Sequence, residues 1–334
     1  MIPLQRQQLP DLSRWFTAAA PGAAALPEHV LAHGTGQWWA DRVDAPRALA
    51  VSCAGHVLLR GDPRAVSPGG LAPFGTHHVE APPRFLPVLG AAFDRLVPAE
   101  RMVYVHREHV DAPKPPRGVR VRRVSGDDAL AFAALWADSG WLHASWGGAA
   151  ALAASGHAVA AFDRGGRVVS VACSYFAGEA YEDVAVATAP EHRRKGLAHA
   201  CVAALTADVA ARGRIASWSC ARDNRPSRLL AWTAGFRLEH EYTQYVTGTP
   251  RAAHVTGTPT PAEVAPGQAE VAPGQLAPVP PPALVPAQAP THTPVPTAPT
   301  PPPAPSSAPP PTKALNPVSR PCSGETPPLE ITPR

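Results

Sequence analysis

Residues 188–198 read Thr188-Ala189-Pro190-Glu191-His192-Arg193-Arg194-Lys195-Gly196-Leu197-Ala198. This is a strand end, a short basic loop and a glycine that opens an amphipathic run. Unpaired N–H groups at a helix start, with the positive end of the helix dipole, attract anions. Gly196 lets a phosphate approach the backbone closely, and Ala198 keeps the next turn open. Arg193, Arg194 and Lys195 add positive charge. Taken alone, the run is equally a capped strand-to-helix junction with a solvated basic face, because short glycine motifs recur by chance. A second group follows: Trp218-Ser219-Cys220-Ala221-Arg222-Asp223-Asn224-Arg225-Pro226-Ser227, then Gly235-Phe236, Tyr242 and Tyr245. Asn224 is also a good helix N-cap, and Ser227 suits a first turn. The third feature is a pair of adjacent carboxylates, Glu182 and Asp183. Strand alternation puts Glu182 on the face of Val184, Val186 and Thr188, and Asp183 on the other. A carboxylate in a site can deprotonate an ammonium group; a solvated strand end is the plainer account of either.

These residues need a strand–helix frame, and the hydrophobic pattern supplies one. Over 119–124 the residues alternate like an edge strand, and Ser125-Gly126-Asp127-Asp128 starts a helix carrying Phe132, Leu135 and Trp136 on one face. An alanine-rich helix lies around 148–155. Strands are expected over 158–162, 167–176 and 181–188 in meander order, with Asp163-Arg164-Gly165-Gly166 as the first turn. The helix over 196–212 buries Leu197, Cys201, Leu205 and Val209 and stops at Gly213. A strand over 215–220, a helix over 225–234 and strands near Phe236 and 242–246 complete the unit. Upstream, 48–53 and 56–60 form a hairpin around Ala54-Gly55. Residues 85–96 have helical spacing, and 102–106 form a strand. Asp111-Ala112-Pro113-Lys114-Pro115-Pro116 reads as a linker. The expected division is a small N-terminal α/β region over 1–116, a catalytic domain over 117–247 and a tail over 248–334.

In order, separation and intervening elements, the two motifs resemble those of the GNAT superfamily of N-acetyltransferases, closest to a poorly characterised bacterial branch. Arg193-x-x-Gly196-x-Ala198 resembles its pyrophosphate loop. Asn224-x-x-Ser227, leading to Gly235-Phe236, resembles the strand and helix that follow it. The resemblance spans about 118–246. It implies an α/β (α+β) GNAT fold: a mixed, mostly antiparallel central sheet flanked by helices. It also implies acetyl-CoA as co-substrate, an amine acceptor and no metal. Backbone N–H groups of 193–198 would hold the pyrophosphate, main-chain groups at Val186 and Thr188 the pantetheine arm, and Asn224 and Ser227 would lie against it. Many members carry a base glutamate at the offset of Glu182. Many also carry a tyrosine acid four residues before Gly-Phe, where this chain has Ala231; Tyr242 or Tyr245 is the nearest substitute. The N-terminal region would pack on the acceptor side, as a degenerate second GNAT-like half or otherwise. Trp141, Trp146 and Tyr175 are candidates for the pocket wall or the core.

Composition bounds the alternatives. The chain has 334 residues and a formal charge of +4, with no dense Lys/Arg run of the nucleic-acid-binding type. Its 5 cysteines are dispersed, without C-x-x-C pairs, as in reduced cytoplasmic proteins. No run reaches the ~18 apolar residues of a membrane span, and the start lacks the apolar core of a signal peptide. The 14 histidines show no cluster along the sequence, so His192 reads as a loop residue. More than half of the 43 prolines lie beyond Gly248. With its repeats Val-Thr-Gly-Thr-Pro and Ala-Glu-Val-Ala-Pro-Gly-Gln, the tail is expected to be disordered. Two rival functions follow: a CoA-binding regulator without turnover, and an adaptor whose proline-rich tail docks a protein partner.

Overall fold

The computed structural model describes residues 1–5, 8, 15–16 and 20–251. The proline-rich tail beyond 251, with its repeats, lies outside the described residues. The strands are β1 (Ile2–Leu4), β2 (Gln37–Ala40), β3 (Ala48–Cys53), β4 (His56–Gly61), β5 (His78–Glu80), β6 (Leu96–His106), β7 (Arg120–Arg123), β8 (Ala158–Phe162), β9 (Val168–Ala177), β10 (Tyr181–Thr188), β11 (Ile215–Ala221) and β12 (Phe236–Thr247). The helices are α1 (Leu26–His33), α2 (Leu86–Ala92), α3 (Ala129–Ala133), α4 (Ala149–Ala154), α5 (Leu197–Ala211) and α6 (Arg225–Thr233).

The strands form one sheet of 12 in the order β1-β2-β3-β4-β5-β12-β6-β11-β10-β9-β8-β7. Only β4/β5 and β10/β11 are parallel pairs, so the sheet is mixed and mostly antiparallel, as expected. The division at 116/117 is different. β6 precedes the linker, yet it lies between β11 and β12, and β12 returns to pair with β5. Residues before and after the linker therefore build one sheet within a single compact unit. The reason is legible in β6: Met102, Val103, Tyr104 and Val105 are all buried, the pattern of a strand covered on both faces.

The predicted helix over 85–96 is shorter, because Phe93 is already extended (ψ 148°) and the strand begins at Leu96. The two strands expected near 236 and 242–246 are one, β12, with an irregularity between Leu238 and His240. The chain remains packed beyond 247: Pro250 bridges to Phe93, and the Arg251 N–H donates to the Ala92 carbonyl.

Two layers cover the sheet. On one face α5 buries the predicted stripe Leu197, Cys201, Leu205 and Val209 against Tyr104, Val184, Trp218 and Phe236. Each leucine so buried contributes about 1.5–3 kcal/mol. On the other face Phe132, Leu142, Trp146 and Leu152 pack on β8 and β9. Alternation divides the strands between these layers: Val159 and Ala161 face α5, while Ala158, Ala160 and Phe162 face away. Beside them on that second face lie α1 and the 3₁₀ turn Gly22–Ala25, with Leu26 and Val30 against Phe176.

Candidate active site

Strand β10 pairs with β11 over three positions only: Tyr181–Ile215, Glu182–Ala216 and Asp183–Ser217. Beyond Asp183 the two strands part, and β10 continues along β9 alone to Thr188. A register shift sits at the fork, between Asp183 and Val184. The residue left out of the ladder is Tyr175 of β9, because Asp183 faces Phe176 and Val184 faces Ser174. Val186 and Thr188 lie along the edge left open. Val186 is half-buried against the α5 core, and the Thr188 hydroxyl meets that of Ser170 at 2.8 Å.

The basic loop joins this edge to α5. Arg194 and Gly196 both have left-handed backbone (φ 59° and 74°), a conformation from which anion-binding concavities are built. Gly196 occupies the N-cap and no side chain caps the helix, so the first-turn N–H groups, from Leu197 and Ala198 onward, have no capping partner. A Cβ at Gly196 would lie 3.2 Å from Pro113 Cγ; the linker crosses the loop here, and only glycine leaves the space open. Arg193 Nε donates to the Thr188 carbonyl at 3.3 Å and Lys195 Nζ to the Glu191 carbonyl at 2.9 Å. Arg194 has no partner among the described residues. This cradle, next to an unpaired strand edge, fits the pyrophosphate and amide-bearing arm of CoA.

Asn224 and Ser227 already have internal partners. Asn224 Oδ1 accepts from the Ser227 N–H at 3.1 Å, capping α6, and Ser227 Oγ accepts from Trp218 Nε1 at 3.0 Å. The Asn224 side chain is exposed and keeps its amide N–H₂ for a ligand. Ala231 is fully buried under α6, so no side chain there reaches a thiolate.

The two carboxylates divide as alternation predicts, but their environments reverse the expected emphasis. Glu182 has no exposed surface. Its Oε1 accepts from Arg212 Nε at 2.8 Å and Arg214 at 3.2 Å, and its Oε2 from Arg212 at 2.7 Å and the Ser174 hydroxyl. His157 Nδ1 adds a contact at 3.2 Å. Burial pushes the Glu182 carboxyl up, but the hydrogen bonds of His157, Arg212 and Ser174 outweigh it and hold it well below the usual range. A carboxylate so stabilised is a poor proton acceptor; it anchors the end of α5 to the sheet.

Asp183 points to the opposite face, at the fork. Ser217 and Ser219 on β11 each donate to its Oδ1 at 3.1 Å, and the Gly22 N–H donates to Ser217 Oγ at 2.9 Å. Oδ2 accepts no hydrogen bond among the described residues, and 6% of the residue is exposed. Burial raises the Asp183 carboxyl to about 6, against the lowering effect of Ser219, Ser217 and the Arg101 charge. Near neutral pH it is ionised and still a competent base.

On this face a cavity of about 190 Å³ lies under the N-terminal turn, lined by Phe16, Leu58, Val103, His240, Tyr242 and the Arg60–Glu80 pair. Burial, then the charges of Glu80 and Asp183, raise the Tyr242 hydroxyl above its ordinary value. Trp146 and Tyr175 are buried and Trp141 is exposed; none of them lines this cavity. The sequence reading missed Ser217 and Ser219, although two polar residues at alternate positions of an apolar strand were a signal. It also missed a histidine group that the fold assembles. His29, His33 and His157 surround Trp146 at 4.9, 4.5 and 5.0 Å between ring centres, and burial lowers His29 to about 4. No group of His, Cys, Asp and Glu suited to a metal occurs among the described residues. Nor is any described helix long and apolar enough to cross a membrane.

Comparison with known proteins agrees with this geometry. A family model for GNAT acetyltransferase matches residues 106–245, beginning at the end of β6. An uncharacterized N-acetyltransferase from the mutA 5′ region of Streptomyces virginiae is 66% identical over 212 residues, 64% of this chain and 90% of its own length. The uncharacterized N-acetyltransferase YdfB of Bacillus subtilis is 29% identical over 133 residues, 40% of this chain and 50% of its own. A GCN5-related N-acetyltransferase-like protein from Streptococcus suis has the same fold, with TM-score 0.56 at 18% identity over 72% of this chain and 98% of that one. So does a GNAT-family acetyltransferase from Colwellia psychrerythraea, with TM-score 0.51 at 13% identity over 74% and 98%. The chain belongs to the GNAT superfamily and is an acyl-CoA-dependent N-acyltransferase.

Proposed function

We propose that the protein transfers an acetyl group from acetyl-CoA to a primary amine by direct attack, with Asp183 as the general base. The observation that carries this reading is the Asp183 carboxylate at the fork, with one oxygen held by two serines and the other free. Acetyl-CoA supplies the thioester. The loop over 193–198 binds its phosphates with the N–H groups at the start of α5, and the edge of β10 at Val186 and Thr188 lies along the arm. Asn224 and Ser227 bound the same groove from α6. Where β10 leaves β11 its main-chain N–H groups lose that neighbour, and one of them polarises the carbonyl oxygen. Asp183 Oδ2 takes the proton of the ammonium, so that the nitrogen meets the carbonyl as a neutral amine. As the C–N bond forms the C–S bond breaks, and Tyr242 on the cavity wall, whose hydroxyl stays protonated, gives a proton to the departing CoA thiolate.

The test is thiol release from acetyl-CoA across an amine panel. Asp183→Asn should lower turnover about 100-fold at pH 7.5 and leave acetyl-CoA affinity unchanged. Undiminished turnover in that variant removes Asp183 from the chemistry.

A further inference from the structure

The arginines around the acceptor face have acidic partners, with one exception. Arg60 pairs with Glu80 at 2.6 Å and Arg222 with Glu100 at 3.2 Å. Arg101 on β6 forms no ion pair among the described residues; it shares a hydrogen bond with the Tyr242 side chain, but its buried Nε has no hydrogen-bond partner among them. Leaving a charged N–H buried and unpaired is costly. Such a cation persists in a fold where something outside the chain pairs with it.

Its position says what that is. Arg101 stands opposite Ala221 of β11 and Tyr242 of β12, and shares its strand face with Val103, two residues on, which lines the cavity. Its charge acts on the Asp183 carboxyl and on the Tyr242 hydroxyl. The acceptor side thus presents a carboxylate at the fork, a cation without an acidic partner farther along it, and a mainly apolar cavity of about 190 Å³ beside them. Glu80, the acid of the cavity wall, is already paired with Arg60.

Resting on the acetyl-transfer reading above, we infer that the acceptor amine also bears a carboxylate, an amino acid or a molecule of that pattern, with Asp183 receiving its ammonium end and Arg101 its carboxylate. A guanidinium matches a carboxylate with two parallel hydrogen bonds, which would give Nε its missing partner. The apolar wall of Phe16, Leu58 and Val103 then takes the side chain.

The experiment compares the twenty amino acids with their carboxamides as acceptors, in the wild type, Arg101→Gln and Arg101→Lys. Crossing variant with substrate cancels the different basicity of the two amines. The wild type should favour the best amino acid over its amide by at least about 100-fold in kcat/KM, as a site built around a polar group does. Arg101→Gln should reduce that preference to within about 5-fold, and Arg101→Lys should recover part of it. Equal use of acids and amides, or an equal loss on both in Arg101→Gln, overturns the inference and leaves acetyl transfer standing. Should no amine turn over, acetyl transfer itself fails. Titration of the N-acetylated amino acids then decides the carboxylate site alone: binding lost in Arg101→Gln supports it, and binding indifferent to the substitution overturns it.

Discussion

Replacing Asp183 by Asn should make the protein more stable and nearly inactive together. The buried carboxyl titrates at about 6 in the fold against an ordinary 3.8, so the folded state disfavours its charge. Each pKa unit is about 1.4 kcal/mol, and the gap amounts to about 3 kcal/mol at any pH above both values. Asparagine keeps the oxygen that Ser217 and Ser219 bond and removes the charge. Its amide N–H₂, placed where Oδ2 has no partner, offsets part of the gain. We expect a net gain of about 1–3 kcal/mol near pH 8, or a melting shift of about 3–8 °C for a unit of this size. The folded pKa is raised, so the stability associated with the neutral form is fully present below pH 3.8 and is lost as the pH rises through 6. The difference between variant and wild type should therefore vanish near pH 4 and reach a plateau above pH 7. Thermal melts at pH 4.5, 6 and 8 measure it, and the same ionisation should appear as an acid limb near pH 6 in wild-type kcat/KM. A variant that is less stable than the wild type at pH 8, or a difference independent of pH, would refute the account of a strained, poised base.

The neighbouring carboxylate should behave in the opposite way. Glu182→Gln should destabilise by about 3 kcal/mol by leaving Arg212 and Arg214 without their buried partner, with turnover per folded molecule within about 3-fold of wild type if the proposed base is Asp183. Its depressed pKa adds a pH dependence: this stability is present above the unfolded value of 4.5 and lost on acidification, which urea titrations at pH 7 and pH 4 would detect. Gly196→Asp should abolish the melting shift of about 2–3 kcal/mol expected from saturating acetyl-CoA, by placing a carboxylate and a strained φ in the phosphate cradle; a preserved shift would remove that loop from the binding site. Truncation after Arg251 should leave folding and turnover unchanged, whereas truncation after Val246 should lower the melting temperature, because Thr247 Oγ1 donates to the Phe74 carbonyl and Arg251 closes on Ala92.

The local features were legible without coordinates. The glycine at the start of α5, the buried stripe Leu197–Cys201–Leu205–Val209 and the Ala54-Gly55 turn follow from helix geometry and backbone preference, which act within a few residues. Alternation placed Glu182 and Asp183 on opposite faces correctly, since that too is a local property of a strand. What each face would meet was not local. Arg212 and Arg214, about thirty residues along the chain, turn Glu182 into a clamp. Ser217 and Ser219 on a parallel neighbour hold Asp183 as a buried carboxylate at the fork. The strand carrying Arg101 was assigned to a separate N-terminal region, because a proline-rich linker follows it; its fully apolar stretch was the sign that it lay deeper. Register between strands far apart in sequence is set by which apolar faces can be buried together, and that competition is resolved only when the whole sheet closes. The sequence alone therefore determined the glycine-opened turn before α5 and the family to which the chain belongs, while the tertiary structure decided which carboxylate stands at the fork and which side chains surround each.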